Sequence, residues 1–243
     1  MKSLTYSIDE NDKKLLQNLF TNKAATSEIR HTLDGFSKLM AYYKCAMMEI
    51  ETKFNVLNEE FSLQYDRNPI SSVKTRLKRL DSIVQKLVRN DKEVSFSSLE
   101  ENLNDVAGVR VICSFTHDVY MLAEALLSQD DITLIKAKDY IKEPKPNGYR
   151  SLHLIVSVPI FLLHEKRKMK VEIQLRTIAM DSWAALEHQL KYKKDTEFTD
   201  EMAKDLYLCS QLSAELDSRM DSLREKVNIY KTTAAMIYTS KSV

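Results

Sequence analysis

Apolar residues recur in the first third of the chain at Leu33, Phe36, Met40, Tyr43, Met47, Ile50, Phe54, Leu57 and Phe61. The intervals alternate between three and four, the period of one helix face. A long helix packed on the domain or on a partner helix is predicted. Asn68-Pro69 interrupts it. Residues 74–89 read as a second helix, with Leu80, Ile83, Val84, Leu87 and Val88 on its apolar side. Lys78, Ser82 and Lys86 stack at four-residue spacing on another side.

The middle of the chain alternates strand and helix signals. Residues 109–115 read as a β-branched strand, 120–127 as a helix and 132–137 as a strand. Residues 144–148 form a loop marked by proline and Asn-Gly. Residues 152–158 read as a strand ended by Pro159. Residues 170–176 alternate strictly, with Val171, Ile173 and Leu175 on one face and Glu172, Gln174 and Arg176 on the other. Helical stripes return with Trp183, Leu186 and Leu190, then with Met202, Leu206, Cys209, Leu212, Leu216, Met220, Leu223 and Val227. The tail after Tyr230 is expected to fray. The predicted architecture is an α/β (α+β) fold, a small mixed sheet flanked by helices, with long helices at both ends. The stripes at 33–61 and 202–227 offer more apolar area than one small sheet covers, which predicts a homo-oligomer.

Composition narrows the chemistry. The formal net charge is +1, so the chain lacks the basic excess of a protein built to grip duplex DNA or long RNA. With 3 glycines and 4 prolines it holds no GxxxxGK[ST] and no GxGxxG, so any bound nucleotide must be held by charged side chains. Cys45, Cys113 and Cys209 are far apart and read as reduced thiols. Met1 to Glu10 has no signal-peptide core, and no apolar run approaches the ~20 residues of a membrane helix. A cytoplasmic protein with no membrane contact is expected.

Glu172, Gln174 and Arg176 share a strand face, although a solvent-facing edge strand often alternates this way. Asp105 precedes a strand near Gly108, where a carboxylate can meet Mg²⁺ or simply cap a turn. Arg76, Lys78, Ser82 and Lys86, with Arg79 nearby, form a basic face of the kind that usually meets solvent, but Lys78, Ser82 and Lys86 make a donor line without acids four residues away, which suits a polyphosphate better than a salt-bridged surface. The segment 138–153 gathers Lys138, Lys142, Lys145, Asn147, Tyr149, Arg150 and His153 around an Asn-Gly turn. There lysines can meet phosphates and Tyr149 can offer a ring face to a base, or Tyr149 and His153 can be ordinary packing residues.

The strings Asp105-Val-Ala-Gly-Val-Arg110, Asp139-Tyr-Ile, Lys145-Pro-Asn-Gly-Tyr-Arg-Ser-Leu-His153, Val171-Glu-Ile-Gln-Leu-Arg-Thr177 and Trp183-Ala-Ala-Leu-Glu-His188 occur in that order. Together they resemble the synthetase domain of RelA/SpoT-type proteins, over residues 73–194. The resemblance is to the single-domain small alarmone synthetases, of the RelP class. It implies a nucleotidyltransferase-like sheet, with a helical region at 1–68, a synthetase core at 69–195 and a C-terminal helix and tail at 196–243. It implies transfer of the β,γ-pyrophosphate of ATP to the 3′-hydroxyl of GDP or GTP, in a Mg²⁺-dependent homotetramer.

The same resemblance assigns roles. Arg76 and Arg110 sandwich the adenine of ATP, and Lys78, Ser82 and Lys86 contact its phosphates. Asp105 and Glu172 are the metal carboxylates, and Glu172 is the general base. Tyr149 stacks on guanine. Lys138, Lys145, Asn147 and His153 surround the acceptor, with Gln174 and Glu187 close to it. The hydrolase and regulatory domains of the long relatives are not expected, and His117-Asp118 reads as a chance HD dipeptide. Transfer to a tRNA 3′ end, or an inactive nucleotide-binding oligomer, remain the alternatives.

Overall fold

The computed structural model describes residues 26–65, 67–191 and 198–240. Met1 to Glu10, read above for a leader, lies outside them, as does the Leu33 side chain that begins the first stripe. Helix α1 spans Thr26–Tyr65, followed by β1 (Ile70–Leu77), α2 (Leu80–Arg89), α3 (Phe96–Asn102) and β2 (Ala107–Cys113). Then come α4 (Thr116–Leu127), β3 (Thr133–Asp139), β4 (Leu152–Phe161), β5 (Lys166–Thr177), α5 (Ile178–Lys191) and α6 (Asp200–Ser240). The strands form one five-stranded sheet in the order β1-β2-β5-β4-β3. The β2–β5 pair is parallel and the others are antiparallel.

The alternation in β5 decides the use of the two sheet faces. Val171, Ile173 and Leu175 are fully buried, as are Val109 and Val111 of β2 and Val156 of β4. Helix α1 lies across this sheet and contacts β1, β2, β4 and β5. Its stripe is sealed there: Phe36, Met40, Tyr43, Ile50 and Phe54 are almost inaccessible to solvent. The first stripe therefore has its partner within the chain, contrary to the expectation that it is surplus. The second stripe is different. On α6, Leu212, Leu216, Met220, Leu223 and Val227 are exposed, as are Leu186 and Leu190 on α5.

The short helix α3 was not read from the sequence, several element ends shift by two to four residues, and three further differences have a physical reason. Residues 74–89 are not one helix. Ile70–Leu77 is a strand, paired along β2 from Ile70↔Cys113 to Leu77↔Ala107, and the helix starts only at Leu80. Val73, Thr75 and Leu77 alternate with Ser72, Lys74 and Arg76, and a ladder to β2 favours that period of two over the helical spacing of the lysines. Pro159 does not end β4, which continues to Phe161 against β5. The β3 ladder stops at Ser157, so β4 has an unpaired side there, where a proline is tolerated. Helix α6 extends past Tyr230 to Ser240, in a stretch that contains no glycine or proline.

Candidate functional site

The polar face of the sheet is built by register. Arg76 pairs with Gly108, Gly108 with Glu172, and Glu172 with Ile155. One step along, Lys74 pairs with Arg110, Arg110 with Gln174, Gln174 with His153, and His153 with Lys138. Residues from five separate strands thus fall into two adjacent rows. Gly108 leaves the Arg76–Glu172 row without a side chain at its centre.

Two clefts open on this face. The first, of about 270 Å³, is lined by Lys74, Arg76, Lys78, Arg110 and Gln174 among others. The second, of about 180 Å³, is lined by Lys86, Asn102, Asn104, Lys136, Lys138 and His153. Asp105 and Glu172 line both and form the wall between them.

Asp105 lies between α3 and β2, two residues before the strand begins. Its Oδ2 accepts from Lys78 Nζ and Lys86 Nζ, each at 2.6 Å. Its Oδ1 is buried and has no protein partner. Burial pushes this carboxyl up, but the two lysines outweigh that and hold it below the usual carboxylate range. Lys78 lies in the turn between β1 and α2, so the lysines do not stack on one helix face. They converge from different elements onto an acid remote in sequence. Ser82 donates its hydroxyl to Asp81 at 3.2 Å and lines neither cleft.

Glu172 sits in a closed ring of hydrogen bonds. Tyr149 Oη pairs with His153 Nε2 at 2.8 Å, and His153 Nδ1 lies 3.4 Å from Glu172 Oε1. Gln174 Nε2 donates to Glu172 Oε2 at 3.0 Å. Arg176 donates to Gln174 Oε1 at 2.9 Å and to Tyr149 Oη, which closes the circuit. Burial raises the Glu172 carboxyl, yet the contacts with His153 and then Gln174 bring it below its ordinary value.

The Tyr149 loop is held from outside the sheet. Gly148 adopts φ of +88°, and a Cβ there would stand 2.0 Å from Ser210 Oγ on α6. Asn147 donates to Glu187 Oε1 of α5 at 3.2 Å. Arg150 bonds Asp217 of α6 at 3.2 Å, and Asp217 also accepts from Thr177 at 3.0 Å. Lys145 Nζ stands 4.6 Å from the Tyr149 ring centre. His117-Asp118 lies apart from all this. Asp118 is fully buried and ion-paired with Arg67 and Arg224, and no cluster of three or more metal-type ligands occurs among the described residues.

The structure therefore brings Arg76, Lys78, Lys86, Asp105, Arg110, Lys138, His153, Glu172 and Gln174 around the two clefts. Tyr149 joins them through His153, and Lys145, Asn147 and Glu187 stand in and beside its loop. It adds Lys74, Lys136, Asn102, Asn104 and Asp181, which the sequence reading did not single out, and it gives Arg176, read only as part of the β5 polar face, a place beside Tyr149 and Gln174. Lys136 was legible as the alternate of Lys138 on β3. Asp181 carried no signal, because two of its three partners, Lys74 and Arg110, belong to distant strands and only Arg176 is near in sequence.

A sequence profile described as a region found in RelA / SpoT proteins matches residues 75–197. The chain belongs to the RelA/SpoT family. Within that family it groups with the small alarmone synthetases. It is 38% identical over 201 residues to the GTP pyrophosphokinase YwaC of Bacillus subtilis, covering 83% of this chain and 96% of that one. It is 32% identical to the GTP pyrophosphokinase YjbM of the same organism, covering 79% and 90%. The crystal structure of small alarmone synthetase 2 from Bacillus subtilis superposes with a TM-score of 0.71 at 38% identity, covering 79% of this chain and 98% of that one. That of small alarmone synthetase 1 from Bacillus subtilis, bound to its product pppGpp, gives 0.72 at 32% identity over 79% and 98%. This RelA/SpoT chain shares with them a mixed sheet flanked by helices.

Proposed function

We propose that the chain is a (p)ppGpp synthetase of the stringent response, acting in the cytoplasm, that moves the β,γ-pyrophosphate of ATP to the 3′-hydroxyl of GDP or GTP. The observation that carries this reading is the wall of Asp105 and Glu172 between two cation-lined clefts. Transfer between two polyanions is mainly a problem of positioning and charge neutralisation, and such a wall faces both partners. In this reading the first cleft takes ATP, with Arg76 and Arg110 on the adenine and Lys78 and Lys86 on the phosphates. The second takes the guanosine nucleotide, with Tyr149 under the base and Lys136, Lys138 and His153 near its phosphates and sugar.

The 3′-oxygen then attacks the β-phosphorus. The bond from that phosphorus to the α–β bridging oxygen breaks, and AMP leaves with the electron pair. Glu172 receives the hydroxyl proton as the new bond forms, and the lysines offset charge on the transferred group. The buried, unpartnered Oδ1 of Asp105 fits a Mg²⁺ ligand, with Glu172 as its second carboxylate. Bound there, Mg²⁺ would add charge neutralisation at the transferred phosphates.

The exposed stripe of α6 supports self-association, and the homotetramer follows from the family resemblance. Among the described residues no helix is long and apolar enough to cross a membrane.

Chromatography of a reaction with ATP, Mg²⁺ and GDP or GTP tests the assignment. One AMP per guanosine tetra- or pentaphosphate is expected, with no product from a 3′-deoxy acceptor. ADP as the stoichiometric product would overturn it.

A further inference from the structure

Asp181 occupies the first turn of α5, where the helix dipole favours a carboxylate. Its Oδ1 lies 3.3 Å from Arg110 NH1 and 3.3 Å from Arg176 NH1, and its Oδ2 lies 3.1 Å from Lys74 Nζ. Arg110 and Lys74 line the first cleft. Arg176 is buried and holds Tyr149 Oη and Gln174 Oε1. One carboxylate oxygen is thus shared between a guanidinium that faces the donor side and one that braces the acceptor side. The two cations would repel if this oxygen were removed, and burial together with Arg176 already draws the Arg110 pKa below its usual value.

We propose that Asp181 is a positioning residue that couples the two nucleotide sites, so that an adenine nucleotide at Arg110 strengthens guanosine nucleotide binding at Tyr149. The inference rests on the site assignment given under the proposed function. A ring stacked on Arg110 draws its guanidinium from Oδ1 and leaves that oxygen to Arg176. Arg176, fixed by α5, then holds the Tyr149 hydroxyl and orders the ring before the acceptor arrives. Ordering a platform in advance removes part of the cost of binding to it.

Calorimetric titration tests this with GDP in the presence and absence of a non-hydrolysable ATP analogue, and with the order reversed. In the unsubstituted protein each ligand should tighten the other by the same factor, on the order of fivefold or more, since coupling is reciprocal. Asp181→Asn should bind both nucleotides with a coupling factor of about one. Asp181→Glu, which keeps the charge, should recover part of it. A purely structural role would lower thermal stability and weaken both ligands while leaving the factor intact, and that result would overturn the proposal. So would two ligands that ignore each other in the unsubstituted protein, a measurement that stands even where a variant does not fold. Failure to bind either nucleotide would instead sink the site assignment, and the inference with it.

Discussion

Lys78 and Lys86 grip the same oxygen of Asp105 from different elements, one from the turn after β1 and one from α2, each at 2.6 Å. The acid is therefore both a site carboxylate and a clasp between segments. Asp105→Asn keeps the size of the side chain and removes its charge. Synthesis should fall by about 10²–10³-fold, in line with the loss of a key electrostatic contact. The half-buried lysines lose their partner, so stability should fall by roughly 1–3 kcal/mol. A product assay paired with thermal melting checks both, and substantial turnover at saturating Mg²⁺ would remove Asp105 from the metal site.

Tyr149 separates two contributions. Tyr149→Ala removes a stacking surface worth about 1–3 kcal/mol, so GDP affinity should drop by roughly one to two orders of magnitude while ATP affinity changes much less. Tyr149→Phe keeps the ring but opens the hydrogen-bonded circuit at His153 and Arg176. It should lose less affinity than the alanine variant and lower turnover more than binding. Equal losses of ATP and GDP affinity in the alanine variant would place the ring at the other base.

Gly148 has no room for a methyl group. Gly148→Ala sets a Cβ against Ser210 at a positive φ, and both strains act on the segment that carries Tyr149. The expected result is a raised acceptor KM and a loss of roughly 1–3 kcal/mol in stability. Adding Ser210→Gly should recover part of the loss in a double-variant titration, because it removes the clash but not the backbone strain.

The pH response follows from Glu172. Burial raises its pKa, but its partners, His153 foremost, lower it by more, so the folded value lies below the ordinary one. Stability from these contacts is then present above the ordinary carboxylate range and is lost as pH falls through the folded pKa. The melting temperatures of the unsubstituted protein and of Glu172→Gln should differ most near neutral pH and converge in acid. A gap that widened on acidification would contradict the assigned direction.

Much of this arrangement was legible in the chain, and the exceptions share a cause. The β5 alternation announced both its buried face and its polar one, because a period of two is local information. The α1 stripe announced a helix but not its partner, since only the assembled sheet shows that α1 is covered. Strand β1 was hidden behind the spacing of Lys78, Ser82 and Lys86, which imitates a helix face. The lysines do meet, but at Asp105, and no local pattern encodes a contact between residues 19 and 27 positions apart. The circuit through Tyr149, Glu172 and Arg176 is likewise a product of strand register.

The α6 stripe gives the prediction on assembly. Leu212, Leu216 and Leu223 are each about half exposed or more. Light scattering at micromolar concentration should report a homotetramer, and Leu216→Glu should dissociate it. A 28.2 kDa monomer for the unsubstituted chain would refute this.

The strict alternation of β5 also limits how this enzyme can change over evolutionary time. From Met169 to Leu175 every second residue belongs to the core, while Glu172, Gln174 and Arg176 belong to the site. A single-codon insertion or deletion between Val171 and Arg176 would exchange the two sets, turning Ile173 toward the clefts and driving Glu172 or Gln174 into the interior. Fold and activity would be lost in one event, with no intermediate for selection to rescue. The turn between β4 and β5 carries no such double duty and has Leu163 almost fully exposed, so length variation can accumulate there. Lineages of this chain can thus drift in length around β5 while the strand itself changes only by substitution.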